Sequence, residues 1–195
     1  MTEAWPTGSF DVLRKDLVVV FCGLNPSVEA AATGHNFGSA SNRFWRALHL
    51  AGFTPHLIVA EDDRAMLRFG CGVTAAVGRP TRRAGEVGRA EFRRSAEAFE
   101  RKITHYRPHT IAFLGKAAYG AVTGLRDLEW GSQADTFGSA RAWLLPNPSG
   151  LNRAFTLDRL VEHYGGLQAD VGQLLARFAS GMRPDGCPQK ALRQR

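Results

Sequence analysis

Two Asn-Pro pairs carry the first chemistry in this chain. Asn25 lies in Gly-Leu-Asn-Pro-Ser (23–27), and Asn147 lies in Pro-Asn-Pro-Ser-Gly (146–150), followed by Leu151, Asn152 and Arg153. A carboxamide donates and accepts hydrogen bonds, so it can hold a water molecule or read the edge of a heterocycle, but it cannot take a proton. Proline fixes the backbone of each turn, and glycine lets another chain come close. Between the two pairs, Thr-Gly-His-Asn-Phe-Gly (33–38) places Phe37 in a glycine-flanked loop. An amide, an aromatic face and loop N–H groups together suit a flat ring held by stacking and edge hydrogen bonds. Neither Asn-Pro loop fits a phosphate-binding signature, since there is no Walker lysine and no G-x-G-x-x-G. The histidines show no ligand spacing, and Cys22, Cys71 and Cys187 are far apart and odd in number. Neither a metal site nor a disulfide framework is expected.

These residues need a scaffold. Four short apolar runs, 17–23, 71–77, 109–115 and 141–146, read as strands covered on both faces. Helical spacing fills the gaps between them. The segment 41–52 offers Ser41 as a cap and Gly52 as a stop, 89–106 carries Phe92, Ala96, Phe99, Ile103 and Tyr106, and 116–124 is short. A last helix opens at Thr156, with Gly165-Gly166 expected to interrupt it before 167–178. Alternation of strand and helix predicts an α/β domain with a mostly parallel sheet. Both Asn-Pro turns then leave the carboxyl ends of core strands, the edge at which open α/β sheets bind ligands.

At 195 residues the chain suits one domain, expected over 1–180, with a basic Pro- and Gly-containing tail over 181–195. Twenty-five Lys+Arg against 18 Asp+Glu give a net charge of +7 and a pI near 9.9. That balance points to a polyanionic partner, nucleic acid before an anionic membrane. Lys/Arg at 79, 82, 83, 89, 93, 94, 101, 102 and 107 outnumber Glu86, Glu91, Glu97 and Glu100. That stretch is either a solvated face or a row of phosphate contacts. No basic-then-apolar leader and no membrane-length apolar run is seen, so a reduced, cytoplasmic setting is expected.

Taken in order, VVFCGLNPS, TGHNFGSASNRFW, AGFT, CGVT, GRPT, FLGKAAY and LPNPSGLNR, spread from about residue 17 to about 164, resemble the mismatch-specific uracil-DNA glycosylases, bacterial relatives of thymine-DNA glycosylase. The resemblance implies a three-layer α/β/α sandwich with a short, mostly parallel central sheet. It implies a monofunctional, cofactor-free, monomeric enzyme that flips uracil out of mispairs with guanine in double-stranded DNA and hydrolyses the N-glycosidic bond. Asn25 would position the attacking water. Phe37 would be the stacking platform, with backbone groups near Leu24 and Phe37 reading the base edge. Leu151 would wedge into the gap, while Gly150, Asn152 and Arg153 meet the orphaned guanine or nearby backbone.

The chain departs from that family in two places. Ser27 stands where glycine is usual, which would narrow the turn beside the water, and Asn152 stands where serine is common. Ala30 would leave room for a 5-methyl group, so activity on G·T as well as G·U is expected. No carboxylate adjoins Asn25, which implies modest turnover unless a distant acid such as Glu86 or Glu91 folds into the site. The alternative is a non-catalytic nucleotide- or DNA-binding module on the same scaffold. It shares the charge and the sheet-edge loops but has no use for a wedge, a platform and a water-holding amide together.

Overall fold

A computed structural model describes residues 10–79 and 89–181, the side chains of 29 and 89–94 excepted. The expectations for Glu86, the side chain of Glu91 and the tail from 182 lie outside the described residues. Five strands form one sheet in the order β2-β1-β3-β5-β4. Strands β1 (Val19–Gly23), β2 (Cys71–Ala75), β3 (Thr110–Leu114) and β5 (Ala140–Leu145) run parallel. Strand β4 (Gly131–Phe137) closes the edge antiparallel to β5. The helices are α1 (Val28–Thr33), α2 (Phe44–Leu50), α3 (Arg89–Tyr106), α4 (Lys116–Thr123) and α5 (Leu157–Ala179), with a kinked 3-10 segment at Ala60–Phe69.

Successive side chains of a strand point to opposite faces, and here each face has its own core. Val19, Phe21, Ala112, Leu114 and Leu145 pack with α2, α5 and the 3-10 segment through Phe44, Leu48, Met66, Leu160 and Tyr164. Cys22, Ile111, Phe113, Ala142 and Leu144 pack with α3 and α4 through Phe99, Ile103, Ala118 and Tyr119. The chain is therefore a three-layer α/β/α fold with a mostly parallel central sheet. Because β1 leads left to β2 while β3 lies on its right, the carboxyl ends of β1 and β3 flank a topological switch point, where α/β sheets open a crevice.

Several local expectations need correction. Helix α5 runs unbroken through Gly165-Gly166. Each mid-helix glycine costs about 1 kcal/mol relative to alanine, but Leu160, Tyr164, Leu167 and Val171 bury one stripe along α5 and hold it together. Ser41 does not cap α2; the Asn42 Oδ1 accepts from the Phe44 N–H at 2.9 Å instead. Strand β4 was not expected because its GSQADTF sequence is polar and largely exposed, as suits an edge. Helix α1 was missed as well, although its cap is plain in retrospect: Ser27 accepts from the Ala30 N–H at 3.0 Å.

Candidate active site

A cleft of about 830 Å³ opens at the switch point. Its walls come from the turn after β1 (Leu24, Asn25, Ser27), from Ala30, from Phe37, from the start of α4, and from the 147–152 loop after β5. The two Asn-Pro loops thus face one cavity. Asn25, Phe37 and the Leu151 loop, all chosen from the sequence, are brought together.

Asn25 is held from the β2 side. Beyond β1 the chain stays paired, since the Ala76 N–H donates to the Gly23 carbonyl at 3.0 Å and the Val77 N–H to the Leu24 carbonyl at 2.9 Å. One step further, the Asn25 Nδ2 donates to the carbonyls of Arg79 and Pro26, each at 3.2 Å. Two acceptors on one side of the amide fix which end is nitrogen and which is oxygen. The carboxamide oxygen, an acceptor, is the atom able to orient a water.

Phe37 is anchored through its neighbour. Asn36 is buried, and its Nδ2 donates to the Asp63 carboxylate at 2.8 Å and to the Phe10 carbonyl at 3.0 Å. The Asn36 N–H also reaches Asp63, at 3.3 Å, and the Trp45 indole N–H donates to the Asn36 carbonyl at 3.1 Å. Phe37 itself takes a left-handed φ of 57°. One ring face stacks on Phe44 at 4.0 Å between centroids, and the half-buried ring lines the cleft. The ring is thus supported on one face and keeps part of its surface toward the cleft. Asp63, which the sequence reading passed over, positions this ring.

Ser27 lines the cleft, and its hydroxyl caps α1 by accepting from the Ala30 N–H. Ala30 is buried at the cleft wall, one turn from that cap. Lys116, read from the sequence as a helix start, begins α4, and its ammonium sits 4.8 Å above the Trp130 ring at the cleft.

Across the cleft, Leu151 is 86 % exposed. A lone exposed leucine means little by itself. This one, however, sits in a loop that is tied down throughout. The Asn147 Oδ1 accepts from the Ser149 N–H at 2.9 Å, and the Asn152 Nδ2 donates to the Asn147 carbonyl at 2.8 Å. The Asn152 Oδ1 accepts from the Ala154 N–H at 3.3 Å. Both ends of the Asn152 amide thus brace the loop. Gly150 rests on Ser41 so closely that a Cβ would lie 2.5 Å from the serine Oγ and 2.8 Å from its carbonyl oxygen. Arg153 is exposed.

The basic stretch divides. Lys102 is not available to phosphate: its ammonium donates to the buried Asp11 carboxylate at 2.9 Å, and Asp11 also accepts from Thr74, a cleft residue, at 2.7 Å. Arg107 pairs with Asp16. Burial pushes the Cys71 thiol up to about 12 and raises that of Cys22 further, though the Lys102 charge opposes the latter. Neither thiol is a nucleophile at neutral pH. Among the described residues no group of three or more His, Cys, Asp or Glu side chains could hold a metal ion, and no helix is long and apolar enough to cross a membrane.

With this geometry in place, the comparison with protein families is decisive. A model of the uracil DNA glycosylase superfamily matches residues 10–164. The chain belongs to that superfamily. Membership supports a hydrolase of base-excision repair, a DNA glycosylase acting on uracil. The matched residues take in all five strands and both lips of the cleft.

Proposed function

We propose that this chain is a monofunctional glycosylase that flips uracil, and more slowly thymine, out of mispairs with guanine and leaves an abasic site. One observation carries the reading: a side-chain amide (Asn25) and a supported aromatic face (Phe37) line a single cleft whose rim displays an exposed leucine (Leu151).

Flipping costs a few kcal/mol of lost stacking and pairing, least at a mismatch. Filling the gap with Leu151 returns about 1.5–3 kcal/mol if the side chain becomes fully buried. That is the same order as the cost, so the wedge decides whether the flipped state is populated. The everted base stacks on Phe37, and backbone groups near Leu24 and Phe37 meet its edge. As the C1′–N1 bond lengthens, positive charge builds on the sugar and negative charge on the base, where fixed N–H donors stabilise it. The Asn25 carboxamide holds a water against C1′. The water oxygen forms the new bond, the base leaves with the old bonding pair, and the water's surplus proton passes to solvent or to the departed base. An amide gives orientation without basicity, which fits modest turnover and selectivity for bases that leave readily from weak pairs.

Ala30 at the wall gives the 5-position of the base a small neighbour, which supports acceptance of a thymine methyl group. Gly150, Asn152 and Arg153, around the wedge, would meet the orphaned guanine or nearby backbone, Gly150 and Asn152 through loop backbone and Arg153 through its exposed side chain.

The test is a nicking assay on labelled duplexes with one G·U, G·T or A·U pair, treated with alkali after incubation. Cleavage in the order G·U, then G·T, with A·U least, is expected. Tight binding to G·U without alkali-labile product would instead favour the binding module.

A further inference from the structure

The wedge loop is held by a residue 105 to 112 positions away in sequence, and that residue has no part in the chemistry above. Arg43, just before α2, turns its guanidinium into the concave side of the 148–155 loop. Its Nε donates to the Pro148 carbonyl at 3.3 Å, and its Nη2 donates to the carbonyls of Ser149 at 2.6 Å and Asn152 at 2.9 Å. Its Nη1 donates to the Phe155 carbonyl. The Arg43 N–H adds a bond to Pro148 at 3.1 Å. Leu151 lies between two of these anchored carbonyls and faces outward, while the next residue in the chain, Phe44, stacks on the platform Phe37.

We propose that Arg43 is the positioning residue of the wedge. Through this one side chain, the loop that carries Leu151 is fixed relative to the ring that receives the base. The inference rests on the wedge reading above. The physical reason is preorganisation. A leucine on a mobile loop must first be ordered before it can enter a duplex, whereas one on a loop clamped by four charge-assisted hydrogen bonds enters already placed. The guanidinium alone can do this: it is planar and presents several donors in a fixed fork, whereas an ammonium is a compact point charge that cannot span carbonyls spread over eight residues. No carboxylate among the described residues pairs with Arg43, so the carbonyl dipoles of the loop are what its charge is spent on.

The assignment predicts a substrate-selective defect. Single-stranded uracil needs no wedge, so loosening the loop must harm duplex substrate alone. Single-turnover excision is measured for wild type, Arg43→Lys, Leu151→Ala and the double variant, on G·U duplex and on single-stranded uracil. Arg43→Lys is expected to lose about tenfold or more on duplex, as misplacement of a remote positioning group does, and to stay within about twofold on the single strand. The double variant should be no worse on duplex than the poorer single one, because both act through one wedge. Should Arg43→Lys fail to fold, Arg43→Gln, which keeps two donors but loses the fork and its charge, must show the duplex-selective loss. Equal losses on both substrates by either folded variant overturn the assignment. If Leu151→Ala spares duplex substrate, the wedge reading itself falls; if Leu151→Ala is duplex-selective and the brace variants are not, only the role of Arg43 falls.

Discussion

Phe37 combines a left-handed backbone with a bulky side chain, a conformation that costs about 1–3 kcal/mol and persists only where its surroundings impose it. Here Asn36, pinned by Asp63, Phe10 and Trp45, imposes it. Strain and function can be separated by two substitutions. Phe37→Gly relieves the backbone and removes the ring, whereas Phe37→Ala removes the ring and keeps the strain. Base stacking on an aromatic side chain is worth about 1–3 kcal/mol, so both variants should excise uracil about tenfold to hundredfold more slowly. Thermal melts should nonetheless rank Phe37→Gly at least as stable as Phe37→Ala. Full activity in either variant would remove the platform from the mechanism. Ser27 does two things at once, lining the cleft and capping α1.

Elements decide how rigidly these residues are presented. The approach of the wedge loop to Ser41 leaves no room for a Cβ at Gly150, and one of the obstructing atoms is a backbone oxygen that cannot rotate away. Gly150→Ala should therefore displace the loop and lower duplex excision, with single-stranded activity retained. Behind β2, the Asp11–Lys102 pair, with side chains 4 % and 17 % exposed, fastens α3 to the strand that supports Asn25. Asp11→Ala leaves a buried ammonium without its partner, a change that costs about 3–5 kcal/mol, measurable as a fall in the urea midpoint. At this scale the sequence was most readable where burial is two-sided. The runs that became β1, β2, β3 and β5 were found because both faces are apolar. β4 was not, because an edge strand such as GSQADTF keeps water on its outer side. The Gly-Gly pair in α5 misled because propensity is local, whereas the stripe through Tyr164 and Leu167 that overrides it is tertiary. Asn25 and Phe37 were singled out by motif chemistry and Leu151 by the family resemblance, and all three line one cleft. Arg43, Asp63 and Asp11 were not singled out, since nothing local marks a side chain whose partner lies tens of residues away.

For the molecule as a whole, pH and net charge act together. His109 titrates below its usual 6.5 because burial disfavours its charge and Arg141 repels it, with Asp170 opposing. His163 is lowered by burial first, with Glu162 opposing and Arg159 adding to the shift. A histidine with a depressed folded pKa binds more protons when unfolded, so stability rises with pH across that window and falls as pH drops through about 6.5. Melting temperature should decline on acidification from pH 7 to 5, and His163→Gln should flatten the slope; an unchanged slope would remove His163 from the effect. The net charge of +7 favours a polyanion such as DNA, but charge alone does not break a glycosidic bond. In the proposed reaction that step depends on the convergence of two strand ends and a loop on one cavity, with the amide of Asn25 against the sugar. Its most direct measurement is single-turnover release of uracil from a G·U duplex by wild type and Asn25→Ala, with duplex affinity determined for both. Unchanged affinity with excision slowed about hundredfold or more is expected when a positioned water is lost; excision at the wild-type rate by Asn25→Ala would contradict it.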